Sequence, residues 1–192
     1  MNRGISSRVP RVPGKGFVVI DTETTGLHDP ARVIEIAMVF VSPSGKVEDS
    51  WTTLVKGDGS AGGRRLEQIH GIRDHDLVKA PTFGQIATEV LGAMQGRVVF
   101  AHNAKFDRAR INYELRLLRR SLLPELGCTM YLGQRLGHGL LKLDQAIDTF
   151  AISRATAHCA HDDALATAHL LGVYMRNHPQ GFHSYLRHKG FG

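Results

Sequence analysis

The chain has 192 residues, 42% hydrophobic and 22% charged, which suits one globular domain with a full core and excludes a disordered or fibrous chain. Its formal net charge of +6 favours a polyanionic partner, and two lone cysteines, Cys128 and Cys159, exclude a disulfide-built scaffold. No apolar run approaches the ~20 residues of a membrane span, and residues 1–15 lack the apolar centre of a secretory signal, so a basic leader and a cytoplasmic location are expected.

The first apolar segment, Phe17-Val-Val-Ile20, reads as a central strand covered on both faces. It runs into Asp21-Thr-Glu-Thr-Thr-Gly26, where strand alternation sends Asp21 and Glu23 to one side. Two carboxylates at the end of a buried strand repel each other unless a cation lies between them. Hard oxygen ligands without thiolate or clustered imidazole suit Mg²⁺ or Mn²⁺ better than zinc. Taken alone, the same pattern also fits a strand entering a polar turn with two solvated acids.

A second strand is predicted over 33–41, with a turn at Ser42-Pro-Ser-Gly45 and an antiparallel return over 47–55. Glycines interrupt regular structure over 56–63, and short helical turns follow over 66–79. Thr82 caps a helix reaching Met94, with Phe83, Ile86, Val90 and Leu91 on one side. A short buried strand over 98–101 leads through His102-Asn103 into a helix over 104–120 capped by Asn103. Two short helices are predicted over 130–136 and 143–150, and a long one over 162–177, stopped before Pro179. Residues 179–192 read as a C-terminal tail. Three strands followed by helices alternating with short strands imply an α/β fold with a mixed sheet.

Two further acids stand out by their helical phase. Asp107 shares a stripe with Ile111, Leu115 and Leu118, so it faces the core from the first turn of its helix. Asp163 leads a similar stripe with Ala166, Leu170 and Val173, although phase alone does not exclude Asp162. His158, five positions earlier, lies in the entering loop, where an imidazole can take a proton near neutral pH.

Asp21-x-Glu23-Thr-Thr-Gly26, His102-Asn-Ala-x-Phe-Asp107 and His158-x4-Asp163 resemble the three motifs of the DEDDh family of 3′–5′ exonucleases. Ile69-His70-Gly71-Ile72 and Ala80-Pro81-Thr82-Phe83 also resemble the segment between the first two motifs of its polymerase-proofreading members. The resemblance extends over 16–173. It implies a ribonuclease H-like fold, a five-stranded mixed sheet flanked by helices, within a domain spanning 16–178. It further implies Asp21, Glu23, Asp107 and Asp163 as ligands of two Mg²⁺ or Mn²⁺ ions, with His158 as general base. Such a pair of ions, ~3.5–4 Å apart, serves both ends of an in-line displacement on phosphorus. The product would be a 5′-mononucleotide.

On the same resemblance Thr24, Thr25 and Leu27 hold the terminal nucleotide, Leu27 as an apolar wedge, with His70, Asn103 and Phe106 as further contacts. Core packing is an equal reading for Phe106. Arg108, Arg110, Arg116, Arg119 and Arg120 are candidate phosphate contacts, or a solvated helix face. Cys128-Thr129 departs from the Asp-Thr that family members often carry. The implied partner is a DNA 3′ end, with RNA as an alternative, and a DNA polymerase or additional domains as companions. An exoribonuclease of the same family, a non-cleaving nucleic-acid-binding module and a small-substrate phosphatase are the competing readings.

Overall fold

Strand β1 (Phe17–Thr24) is the centre about which the sheet is built. β2 (Val33–Val41) pairs antiparallel with it, and β3 (Val47–Leu54) pairs antiparallel with β2. On its other edge β1 runs parallel to β4 (Val98–Ala101), which pairs in parallel with the short β5 (Gly127–Cys128). The order β3-β2-β1-β4-β5 gives the five-stranded mixed sheet expected from the sequence. The computed structural model describes residues 16–191; the leader reading for 1–15 lies outside the described residues.

Alternation along β1 feeds two cores, one on each face of the sheet. Val18 and Ile20 pack with Phe83, Ile86 and Val90 of α3 (Phe83–Met94) and with Ile111 and Leu115 of α4 (Ala104–Leu117). Phe17 and Val19 pack on the opposite face against Ala164, Ala168 and Leu171 of α7 (Ala160–Asn177). Ahead of α3, the predicted helical turns resolve into α1 (Arg64–His70) and α2 (Asp74–Leu77). Between α4 and α7 come α5 (Thr129–Arg135) and α6 (Leu143–Thr149). β5 approaches β4 so closely that a Cβ on Gly127 would lie 2.5 Å from the Phe100 ring. Only glycine fits there.

Three expectations differ from what is observed. α4 ends at Leu117, short of Arg120: Arg119 takes φ +53°, and the Arg120 N–H closes onto the Leu115 carbonyl at 2.9 Å. This is a left-handed helix end built without glycine, so no residue signalled it. α7 begins at Ala160, two residues ahead of the predicted start. The stretch read as a tail forms helix α8 (Pro179–His188), which buries Phe182 and Tyr185 in the core beneath α7. Pro179 stops one helix but is equally at home as the first residue of the next, where no N–H is required.

Candidate active site

β1 reaches beyond its last pairing with β4, Val19↔Phe100, so its C-terminal half is open on that side. Asp21 and Glu23 project there on the face shared with Phe17 and Val19, toward α7. Asp163, in the first turn of α7, comes down onto them. One oxygen from each of Asp21, Glu23 and Asp163 falls within a group spanning 4.8 Å. Asp162 is turned aside and meets His161 Nδ1 at 3.2 Å, so the register left open by helical phase falls on Asp163.

Asp107 arrives from the other face. It sits in the first turn of α4 above the Ile111–Leu115 stripe, 3% exposed, and accepts a hydrogen bond from Thr22 Oγ1 at 2.8 Å. Thr22 lies between Asp21 and Glu23 in the chain and points opposite to them. Asp107 therefore flanks the three-acid group from the α4 side, outside its 4.8 Å span. Its charge nevertheless adds to the repulsion that raises Asp21.

The electrostatics reflect this crowding. Burial, and then repulsion from Asp107, Glu23, Asp163 and Glu35, hold the Asp21 carboxyl well above its usual range. Burial pushes Asp107 up to about 7, against the opposing bonds from Thr22 and main-chain N–H groups. Asp163 is also raised by burial, although Arg154 and His158 counter the shift. Such a cluster of hard oxygen donors fits a divalent cation such as Mg²⁺ or Mn²⁺, whose charge would relieve the repulsion.

Two contributors were missed by sequence reasoning. Glu35 is buried in β2 directly across from Glu23, and its Oε2 accepts the Ala160 N–H at the start of α7 at 3.1 Å. Its place inside the apolar run Val33–Val41 hid it, yet a lone acid in such a strand is itself a signal. Arg154 donates to Asp163 Oδ1 at 2.9 Å and also grips Asp144 on α6. No motif marks it. His158 is exposed, with φ +56°, and its main-chain N–H donates to Asp163 Oδ2 at 3.2 Å.

The profile of the family described as Exonuclease matches residues 18–171. This chain belongs to the DEDDh exonucleases. The exonuclease is 31% identical to DNA polymerase III subunit epsilon of Treponema pallidum (strain Nichols) over 168 residues, 84% of this chain and 77% of that protein. It is 32% identical to the same subunit of Escherichia coli (strain K12) over 111 residues, 55% of this chain and 45% of that protein. Among solved structures it resembles Exonuclease X in complex with 5′ overhanging duplex DNA, with a TM-score of 0.65 and 29% identity over 85% of this chain and 93% of that one. Exonuclease I shares the fold, with a TM-score of 0.76 at 16% identity over 90% of this chain and 43% of that one. The chain is accordingly a 3′–5′ exonuclease, a hydrolase of phosphodiester bonds.

The residues expected to contact substrate differ in exposure and in their local bonds. Leu27 is 68% exposed at the tip of the loop between β1 and β2. Below it, Thr24 Oγ1 donates to the Gly26 carbonyl at 2.7 Å and Thr25 Oγ1 accepts the Arg32 N–H at 2.8 Å. Gly62 packs against this loop at φ +88°, and a Cβ on it would lie 2.9 Å from Thr25 Cα. His70 is buried, its Nδ1 accepting the Ile72 N–H at 3.1 Å. Asn103 stands at the N-cap of α4 with φ +59° but makes no side-chain cap, and Phe106 is half-buried. The neighbouring His102 is held by Thr129 Oγ1 at 2.9 Å and the Leu141 carbonyl at 3.0 Å, which gives the departing Cys128-Thr129 pair a structural task.

Three of the arginines grouped as phosphate contacts have other work. Arg110 is buried and bonds Asp29 at 2.7 Å, Arg116 bonds the same carboxylate at 3.1 Å, and Arg120 bonds Thr88 at 3.0 Å. Arg110 and Arg116, with Glu114, which takes Arg32 at 2.8 and 2.9 Å, fasten the Leu27 loop to α4, whereas Arg120 ties the segment after α4 to α3. Among the described residues, no helix is long and apolar enough to cross a membrane.

Proposed function

We propose that this exonuclease removes nucleotides from the 3′ end of single-stranded or frayed DNA and releases 5′-mononucleotides. Asp21, Glu23, Asp107 and Asp163 hold two Mg²⁺ or Mn²⁺ ions, and His158 is the general base. The observation that carries this reading is the three-acid group on β1 and α7, with Asp107 flanking it through Thr22. Burial raises the Asp21, Asp107 and Asp163 carboxyls above their usual range, and a bound divalent cation would offset that cost.

Divalent ions held by Asp21, Glu23, Asp107 and Asp163 would supply positive charge to offset the negative charge that builds during phosphodiester cleavage. The chain's own residues do the rest. His158 is exposed at the rim and takes the proton of the attacking water on an imidazole nitrogen, while its main chain remains tied to Asp163. Leu27, held by Thr24, Thr25 and the Asp29–Arg110 anchor, offers an apolar face to the terminal base, with His70, Asn103 and Phe106 around the sugar. A site that grips one terminal nucleotide selects strands whose last pair is already open.

A DNA polymerase is the natural companion, since the epsilon subunits it resembles carry that assembly in their name. A chain with only two cysteines, 31 positions apart in sequence, suits the reducing cytoplasm. The deciding assay follows mononucleotide release from matched DNA and RNA strands with Mg²⁺ or Mn²⁺. Release from DNA, abolished by EDTA and reduced at least ~100-fold by His158→Ala, is the expected result. Undiminished cleavage by Asp21→Ala removes the acids from the mechanism. Faster cleavage of RNA makes the enzyme an exoribonuclease.

A further inference from the structure

On the β5 side of α4 lies a cleft of about 560 Å³ that begins at Ala104, the first residue of that helix. Its wall carries Lys105 and Arg108 from α4, Tyr131 from α5 and Lys189 from the end of α8, with Glu125 the one carboxylate among them. Three cations face one acid. Lys189 is paired with Glu125, and Lys105 Nζ stands 5.8 Å from the centre of the Tyr131 ring. Arg108 is fixed from behind, its Nε donating to the carbonyls of Leu123 at 3.2 Å and Pro124 at 2.6 Å.

The three cations share one wall. Glu125 is 63% exposed in its side chain, yet Lys189, Arg108 and Lys105 together hold its carboxyl below the ordinary range. An oxyanion from the protein itself thus stands in a cleft lined by three basic side chains and is gripped by one of them, Lys189. Ala104 and Lys105, in the first turn of α4, line the cleft directly after Asn103 at the helix N-cap, so a strand whose end reaches Asn103 can continue along it. Cations along a groove with an aromatic face are the elements that hold a single strand without reading its sequence.

We propose that this cleft binds the phosphodiester backbone of the substrate strand upstream of the nucleotide being removed, a phosphate displacing Glu125 from Lys189 and Tyr131 offering a stacking face. The proposal rests on the exonuclease acting on a strand at the acid cluster. It assigns Lys105, Arg108 and Lys189 to strand binding and makes Glu125 an internal competitor.

The test compares kcat/KM on a dinucleotide and on a 12-nucleotide single strand of DNA. Lys105→Glu and Lys189→Glu should each lower kcat/KM on the longer strand by about fivefold or more, with a salt dependence shallower by about one phosphate contact. Dinucleotide cleavage is the reference and should move less than twofold. Glu125→Gln should act in the opposite sense and raise kcat/KM on the longer strand, which a merely structural ion pair would not do. Equal losses on both substrates, no loss on either, or a fall with Glu125→Gln overturns the proposal. So does a changed inhibition constant for free 5′-mononucleotide in Lys105→Glu, which makes the cleft a product site. Failure of the wild-type enzyme to cleave either substrate sinks the exonuclease reading itself and is distinct from all of these.

Discussion

Thr22 Oγ1 donates to Asp107 Oδ1 at 2.8 Å, joining β1 to α4 across the face of the sheet opposite Asp21 and Glu23. Through this bond one strand organises acids on both of its sides. Thr22→Val retains shape and removes the donor, leaving a buried carboxyl with one partner fewer. We expect divalent-metal affinity to fall ~10-fold, read by Mn²⁺ titration calorimetry, and kcat/KM to fall in step. Unchanged affinity would mean that Asp107 is held by other groups.

The raised carboxyls make the metal-free protein sensitive to pH in a defined direction. Asp107, ordinarily near 3.8, titrates at about 7 in the folded protein, so the folded state binds more protons than the unfolded one between those values. Its stabilising effect is complete below the unfolded value and is lost as pH rises through the folded one. In EDTA, the melting temperature should fall between about pH 4 and pH 7, and Asp107→Asn should flatten that slope. Added Mg²⁺ or Mn²⁺ should stabilise the protein more at pH 7.5 than at pH 5. A melting temperature that rises across this window in EDTA would refute the assignment.

Arg154 spans Asp163 and Asp144, so it fixes the α7 acid from the loop that also carries His158. Arg154→Ala leaves Asp163 with the His158 N–H as its remaining named donor. The metal concentration giving half-maximal activity should rise roughly 10-fold or more, while kcat at saturating metal changes little. A loss confined to kcat would instead indicate contact between the guanidinium and the substrate.

α8 is part of the core. Phe182 packs edge-on to Phe17 at 5.5 Å and stacks near Phe100 at 6.3 Å between ring centres, and the Tyr185 hydroxyl accepts the Cys128 N–H at 2.9 Å. Phe182→Ala should cost about 3–5 kcal/mol of stability, measured by urea unfolding. A cost under about 1 kcal/mol would show α8 to be a loosely held appendage.

Much of the fold was legible because its signals are local. The apolar run into Asp21 marks a covered strand, and the stripes beneath Asp107 and Asp163 mark inward helix faces, since side-chain periodicity depends on nothing beyond neighbouring residues. α8 was not legible, because Pro179 carries the same sign whether a helix stops before it or starts with it. Glu35 was obscured by the eight apolar residues around it, and Arg154 by the absence of any pattern that tells a paired guanidinium from a solvated one.

The amino-acid order by itself determined which strand is central, which residues face inward, and that acids capable of binding a hard cation recur at strand and helix ends. Only the tertiary structure decided that Asp163 rather than Asp162 joins Asp21 and Glu23, that Asp107 approaches through Thr22 from the opposite face, and that Arg110 and Arg116 serve a loop. The reason is physical. Periodicity gives the direction of a side chain about its own element, whereas the distance between two carboxylates depends on how separate elements pack, and packing is settled by contacts far apart in the chain.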